Sequence, residues 1–311
     1  MARLGSSPKV TPVDSDKMPT FFVIGAAKCG TTSLHRYLDL HPEISMSSIK
    51  EPMFFVPEDF GKGWRFSPLV RSRSEYLGLF DPECGIRGES STMYSAFPNC
   101  PGVAERIHRE VPDARLVYLT RDPIERAAAS WVQLMTSRMA MNRRAGRLKD
   151  FREMVLPFDA VGNYLTWPGM YATQIRQYLE FFPKEAILVI DSSELEADRE
   201  AVLAEVFRFL GADPDFTTPG FFEKHNTHAV KKMESSLYVR LSSSKALRKG
   251  LGLLPERLRE HAIERVRSPL MVPSVKPEID PEIRRELEQL FRPEVEELRE
   301  FTGKPFSSWS I

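Results

Sequence analysis

The sequence predicts an α/β protein built around a parallel sheet, and two observations carry that prediction. Three short apolar, β-rich runs, Phe21–Ile24, Leu116–Leu119 and Ile187–Ile190, are each followed by a loop and a helical pattern. The first run also empties into a glycine-bearing turn, Gly25 to Gly30, that opens a helix. Such a turn presents backbone N–H groups to an anion.

Each element has its own reason. The first helix is expected over about Thr31 to Leu40, stopped by His41-Pro42 because proline disfavours helix in the residue before it. Pro123 falls near a helix start, where its missing N–H does no harm. QIRQYLEFFP carries apolar residues at helical spacing ahead of Pro183 and the third strand. Glu200 to Gly211 repeats that spacing and closes on a glycine cap. The last helix takes Asp280 as N-cap and is expected to be interrupted at Pro293. Residues 136–165 and 213–250 read as irregular surface loops, lids or substrate contacts. With no repeat and no linker between cores, one domain over 19–311 is expected after a flexible leader to about residue 18.

Bulk properties narrow the partners. The 311 residues hold 43 basic and 43 acidic side chains, so net charge favours neither nucleic acid nor an acidic membrane, and any anion site is local. Cys29, Cys84 and Cys100 make an odd set without C-x-x-C spacing, which suits a reducing compartment. The N-terminus lacks a signal-peptide core and no stretch approaches the ~20 apolar residues of a membrane span. A soluble, cytoplasmic protein is expected.

The turn FFVIGAAKCGTTSL is close to the phosphate loop G-x-x-x-x-G-K-[ST], yet Thr31 stands at the lysine position and Lys28 lies three residues earlier. The unpaired amides of the helix start favour negative charge by typically ~0.3–1 kcal/mol. Thr31, Thr32 and Ser33 add hydroxyl donors. A strand–turn–helix with capping threonines is the plainer alternative for the loop taken alone. A lysine in mid-turn suits a nucleotide with one 5′-phosphate and a second, different leaving bond better than a triphosphate.

K-C-G-T-T-S-L resembles the 5′-phosphosulfate loop of sulfotransferases that use 3′-phosphoadenylyl sulfate (PAPS), of the heparan-sulfate type and their bacterial relatives. The resemblance implies a three-layer αβα sandwich with a central parallel sheet, related to the P-loop nucleotide kinases. It also implies a hydroxyl or amine acceptor, PAP as the nucleotide product and no metal. It assigns Lys28, Cys29, Gly30, Thr31, Thr32 and Ser33 to the nucleotide, Cys29 through its backbone.

Three further segments extend the match. SSIKEPMFF is similar to the family's K-E-P-H-F-F and makes Glu51 the general base; a placed carboxylate typically contributes ~10²–10⁴-fold. Lys28 would then meet charge on the departing phosphate oxygen. GESSTMYS resembles G-E-K-T-P-x-Y through Glu89 and Tyr94, with Ser90 where heparan-type enzymes carry a lysine. YLTRDPIERAAASW resembles the 3′-phosphate motif, with Arg121 as a planar donor fork and the next helix pointing its N-terminus at the same anion. The motif's serine falls at Ala129, leaving Ser130 one helical step away. Asp122, Glu125 and Arg126 are expected to be capping and structural.

The resemblance also implies a cofactor-covering loop that brings in Lys231 and Lys232; a solvated basic face is the alternative. His225 and His228 lack partners for a metal, and Arg248-Lys249-Gly250 lacks matching flanks. His41 and His108 are expected to be structural. The tail ELREFTGKPFSSW resembles the family ending L-x-x-x-x-G-x-x-F-S-x-W. A small-molecule kinase on the same fold and a non-catalytic nucleotide-binding protein stand as rival readings. A carbohydrate, lipid or small-molecule hydroxyl is the expected acceptor class.

Overall fold

In the computed structural model five parallel strands form the central sheet. The structure describes residues 18–60, 70–136, 141–142, 147–148, 150–156, 161–222, 232–234, 265 and 271–311. The strands are β1 (Phe21–Gly25), β2 (Ile44–Met46), β3 (Ile86–Ser90), β4 (Arg115–Thr120) and β7 (Ile187–Asp191). Their order is β2-β3-β1-β4-β7. The three expected strands are all present, each one or two residues longer than the apolar run that announced it. β1 is buried along its whole length, as a strand covered on both faces must be.

β2 and β3 were not legible as strands, for different reasons. β2 has only three residues. β3 reads IRGES, and its charged members are buried because the fold satisfies them locally. Arg87 donates to the carbonyls of Met18 and Cys84. Gly88 pairs with Phe21 across the sheet, and a Cβ there would meet the Phe21 ring at 2.0 Å.

Helix α1 (Thr31–Asp39) turns inward Leu34, His35, Tyr37 and Leu38 and stops before His41, as expected. The Nδ1 of His41 accepts from the Glu43 amide, so its Nε2 donates to the Asp213 carbonyl at 3.0 Å. The ring sits between Phe207 and Phe216, a structural role. The expected α4 (Pro123–Thr136), α6 (Tyr171–Leu179) and α8 (Arg199–Leu210) are present, and Gly211 ends α8 in the left-handed region at φ 82°. Short helices α2 (Arg73–Leu77), α3 (Val103–Glu110), α5 (Phe151–Val155) and α7 (Ser192–Ala197) fill the connections.

Helix α9 (Pro281–Thr302) corrects one expectation: it runs through Pro293 without a break. Proline in a helix costs ~3 kcal/mol or more. Phe291, Val295 and Leu298 are fully buried around it, each worth ~1.5–3 kcal/mol. Glu294 adds a clamp, accepting from the amide of Thr173 at 2.8 Å and its hydroxyl at 2.6 Å. Burial outweighs the lost bond. Within the two stretches read as irregular, α5 is fixed by a capping box of Asp150 and Glu153, and the antiparallel strands β5 (Met141–Asn142) and β6 (Arg147–Leu148) pair. Strand β8 (Lys232–Glu234) pairs with β9 (Met271–Pro273) and packs on α4.

The sheet order sets the location of the site. After β1 the chain moves to the β3 side, whereas after β4 it moves to the β7 side. Right-handed crossovers then put the two sets of helices on opposite faces. The C-terminal ends of β1 and β4 flank the switch point, where open α/β sheets bind ligands. Both expected phosphate segments begin there.

Candidate active site

The first segment is built from Gly25 onward. Gly25 has φ 151°, and a Cβ on it would lie 1.9 Å from the Ser95 Oγ, so only glycine lets the chain pass. The Ala26 amide then donates to the Leu119 carbonyl at 2.7 Å, lashing the loop to β4. Lys28 at φ 73° and Gly30 at φ 91° turn the chain into α1. Gly30 is the N-cap and brings no capping side chain. The Ser33 and Leu34 amides already donate to the Gly30 carbonyl at 2.9 and 3.1 Å, so the amides of Thr31 and Thr32, at the first two helical positions, are the ones a ligand could take. Gly30 is exposed, Lys28, Thr32 and Ser33 are half-buried, and Thr31 is buried. Cys29 is buried, and burial pushes its thiol up to about 11, so it is neutral and contributes main chain.

The second segment departs from expectation at the helix start. Asp122 Oδ1 accepts from the amides of Ile124 at 2.9 Å and Glu125 at 3.0 Å. Its other oxygen accepts from the Ser310 amide at 2.6 Å. A protein carboxylate thus already occupies the N-terminus of α4, leaving the Arg121 guanidinium as the donor of that segment. Ala129 lies on the half-exposed face of α4, in line with Glu125. Ser130, one step on, is fully buried and accepts from Arg126 at 3.1 Å. The serine expected among the ligand contacts therefore faces the core, turned there by the ~100° step of the helix. Arg126 also donates to the Leu165 carbonyl, the structural role expected of it.

Two residues that sequence reasoning missed join these segments. Tyr171, fully buried on α6, donates its hydroxyl to the Arg121 carbonyl at 2.6 Å and accepts from the Arg121 amide at 3.2 Å. The same oxygen lies 3.6 Å from Cys29 Sγ, so it spans both loops. Lys276 reaches Glu125 at 2.5 Å, and Glu125 lies 3.7 Å from Arg121, which sets a second cation beside the arginine. Neither carried a sequence signal, since both lie more than 49 positions beyond the segment they touch. Lys231 lies outside the described residues, as do His225, His228 and residues 248–250; Lys232 opens β8. Among the described residues no group of three or more His, Cys, Asp and Glu is placed to hold a metal ion.

Glu51 stands on the loop after β2 and is bound to the end of β3. Its amide donates to the Ser90 carbonyl at 3.0 Å, with φ at 62°. Its carboxylate pairs with Lys50 at 2.8 Å and accepts from Thr92 at 3.1 Å. Behind it the Glu89 carboxyl, wholly buried, accepts from Tyr76, Ser91 and Tyr94 at 2.5, 2.8 and 2.7 Å. Burial raises Glu89 to about 7; the three hydroxyls act against this and the charge of Glu51 with it. His35 on α1 bonds the Ser90 Oγ at 3.0 Å. Burial, then Lys50 and Arg36, lower His35 to about 4, so it is neutral. Ser90, where the heparan-type lysine would stand, is therefore a buried contact for a histidine.

The arrangement defines a class: an open parallel sheet with a glycine-bearing loop feeding a helix at its switch point and a carboxylate held at the neighbouring strand end. The profile of the sulfotransferase domain family matches residues 18–302, and the chain belongs to that family. A solved sulfotransferase from Alicyclobacillus acidocaldarius is similar over 94% of this chain and 99% of its own, with TM-score 0.64 and 27% identity. The mouse bifunctional heparan sulfate N-deacetylase/N-sulfotransferase 4 is 30% identical over 212 residues, 65% of this chain and 23% of that protein. Human carbohydrate sulfotransferase 15 is 26% identical over 249 residues, 63% of this chain and 44% of that protein. The chain spans less than half the length of these two relatives. No helix among the described residues is long and apolar enough to cross a membrane.

Proposed function

We propose that the protein transfers a sulfuryl group from PAPS to an acceptor hydroxyl, giving PAP and a sulfate ester. The observation that carries this reading is the loop after β1: a mid-turn Lys28, an N-cap without a side chain and the open first turn of α1, beside Arg121. The donor supplies an activated sulfur whose bond to the 5′-phosphate oxygen breaks as the acceptor oxygen attacks. The amides of Gly30, Thr31 and Thr32 and the Lys28 ammonium meet the negative charge left on that phosphate. Arg121 holds the 3′-phosphate through its planar fork, with Lys276 as supporting charge. Glu51 takes the acceptor proton.

Thr31 speaks against a kinase, because the position that would carry the triphosphate lysine holds a buried threonine. The relatives' names put carbohydrates first among acceptors, ahead of lipid and small-molecule hydroxyls. Three unpaired thiols support a reducing, cytoplasmic setting. Glu51→Gln tests the reading. PAP should bind without magnesium as to the wild type, while PAPS turnover across a carbohydrate, lipid and phenol panel falls ~10²-fold or more. Near-normal turnover removes Glu51 as base. Magnesium-dependent ATP binding in place of PAP binding makes the protein a kinase, and PAP binding without turnover on any acceptor leaves a nucleotide-binding protein.

A further inference from the structure

We infer that Thr92 is a positioning residue for Glu51: it anchors one carboxylate oxygen to the sheet and leaves the other as the proton acceptor. The inference rests on the reading of Glu51 as base. Glu51 Oε1 pairs with Lys50 Nζ at 2.8 Å, and Oε2 accepts from Thr92 Oγ1 at 3.1 Å. These two partners differ in what they can fix. Lys50 is the preceding residue, carried on the same loop, so it moves with Glu51. Thr92 opens the 3-10 turn directly after β3, two positions beyond a strand paired on both sides. Its hydroxyl ties this carboxylate to the turn that leaves the end of β3.

The surrounding contacts show that the whole segment is set by the same strand end. The amides of Glu51, Met53 and Phe55 donate in turn to Ser90 O, Ser91 Oγ and Tyr94 Oη. Glu51 and Met53 both hold positive φ, 62° and 53°, a conformation that persists only where surroundings impose it. Ser91 and Tyr94 spend their protons on Glu89, so their oxygens are left to accept from the loop. Ser90, Ser91 and Tyr94 thus place the backbone, and Thr92 fixes the carboxylate oxygen that Lys50 does not hold. When an acceptor hydroxyl docks, one partner of Glu51 must yield. A long lysine stem can swing away, whereas a short hydroxyl tethered to β3 cannot. Oε1 is therefore the oxygen that receives the proton, and Oε2 stays held.

The test compares Thr92→Val, Thr92→Ser and Glu51→Gln, with PAP release from PAPS as readout, using an unsulfated heparosan oligosaccharide, a long-chain alcohol and a phenol as acceptors and water alone as a further arm. Loosening a reacting group by ~1 Å can cost ~10²-fold. Thr92→Val is expected to lower kcat tenfold to a hundredfold, with PAP affinity and melting temperature unchanged. Thr92→Ser, which keeps the hydroxyl, should restore kcat, and Thr92→Val should add nothing on the Glu51→Gln background. Wild-type turnover in Thr92→Val with Glu51→Gln inactive overturns the positioning role and leaves the base standing. A loss that serine does not rescue, or one that follows the melting temperature, makes Thr92 merely structural. Full turnover in Glu51→Gln, or no PAP release by the wild type in any arm, removes the base reading and this inference together.

Discussion

Replacing Tyr171 by phenylalanine isolates the clasp between the two phosphate segments. The ring and its packing on Trp309, at 5.7 Å between centroids, are kept, and one oxygen is lost. That oxygen satisfies both backbone groups of Arg121, at 2.6 Å and 3.2 Å, from the buried side of a half-buried residue. Each bond is worth ~0.5–1.5 kcal/mol net, and a group left buried without a partner costs ~1–3 kcal/mol. Arg121 is half-buried, so its freed backbone groups recover part of their solvation, and the sum comes to about 2 kcal/mol. Since ~1.4 kcal/mol is tenfold in affinity, a loss of about 2 kcal/mol carried to the site should weaken PAP binding about thirtyfold. The assay is calorimetric titration of PAP without magnesium, with thermal unfolding alongside. Tyr178→Phe serves as control, because its equally buried hydroxyl donates to the Tyr94 carbonyl at 2.9 Å instead. Equal loss of stability in both variants, with PAP affinity intact in Tyr171→Phe, would refute the coupling and reduce Tyr171 to packing.

Glu89→Gln should alter the pH dependence of stability. Glu89 is raised from 4.5 to about 7 in the folded chain, so its contribution is complete below pH 4.5 and is lost as pH rises through 7. Relative to the glutamine variant, the wild type should lose on the order of 3 kcal/mol across that window, read from urea unfolding at pH 5 and pH 8. His35, lowered from 6.5 to about 4, works in the opposite direction, its contribution fading as pH falls, and it cancels in the difference between the two proteins. A gap that does not change with pH would show that Glu89 is ionised when folded. Lys276→Ala and Glu125→Gln should move PAP affinity in opposite directions. The first leaves the Glu125 charge to Arg121 alone and weakens binding a few-fold, and the second releases both cations and tightens it. Both effects should shrink with salt, as they do between exposed groups, and equal signs would place Lys276 and Glu125 outside the phosphate site.

The elements legible in the sequence are those whose chemistry is local. Apolar runs marked β1, β4 and β7 because buried parallel strands need nothing but side chains of that kind. Gly25 and Gly30 announced a tight turn between β1 and α1, because the chain there takes backbone that favours glycine. Features that depend on distant partners emerge only once the chain is folded. β3 is a strand although it reads IRGES, since Tyr76, Tyr94 and Ser91 are brought to Glu89. Pro293 is absorbed because α9 is buried on both sides of it. Ser130 turns inward, and Asp122 caps the helix expected to receive phosphate. Tyr171, Thr92 and Lys276 acquire their roles only when the chain returns to segments 41 to 151 residues away. Spacing along a chain encodes periodicity and turns; it does not encode which remote hydroxyl will satisfy a buried group.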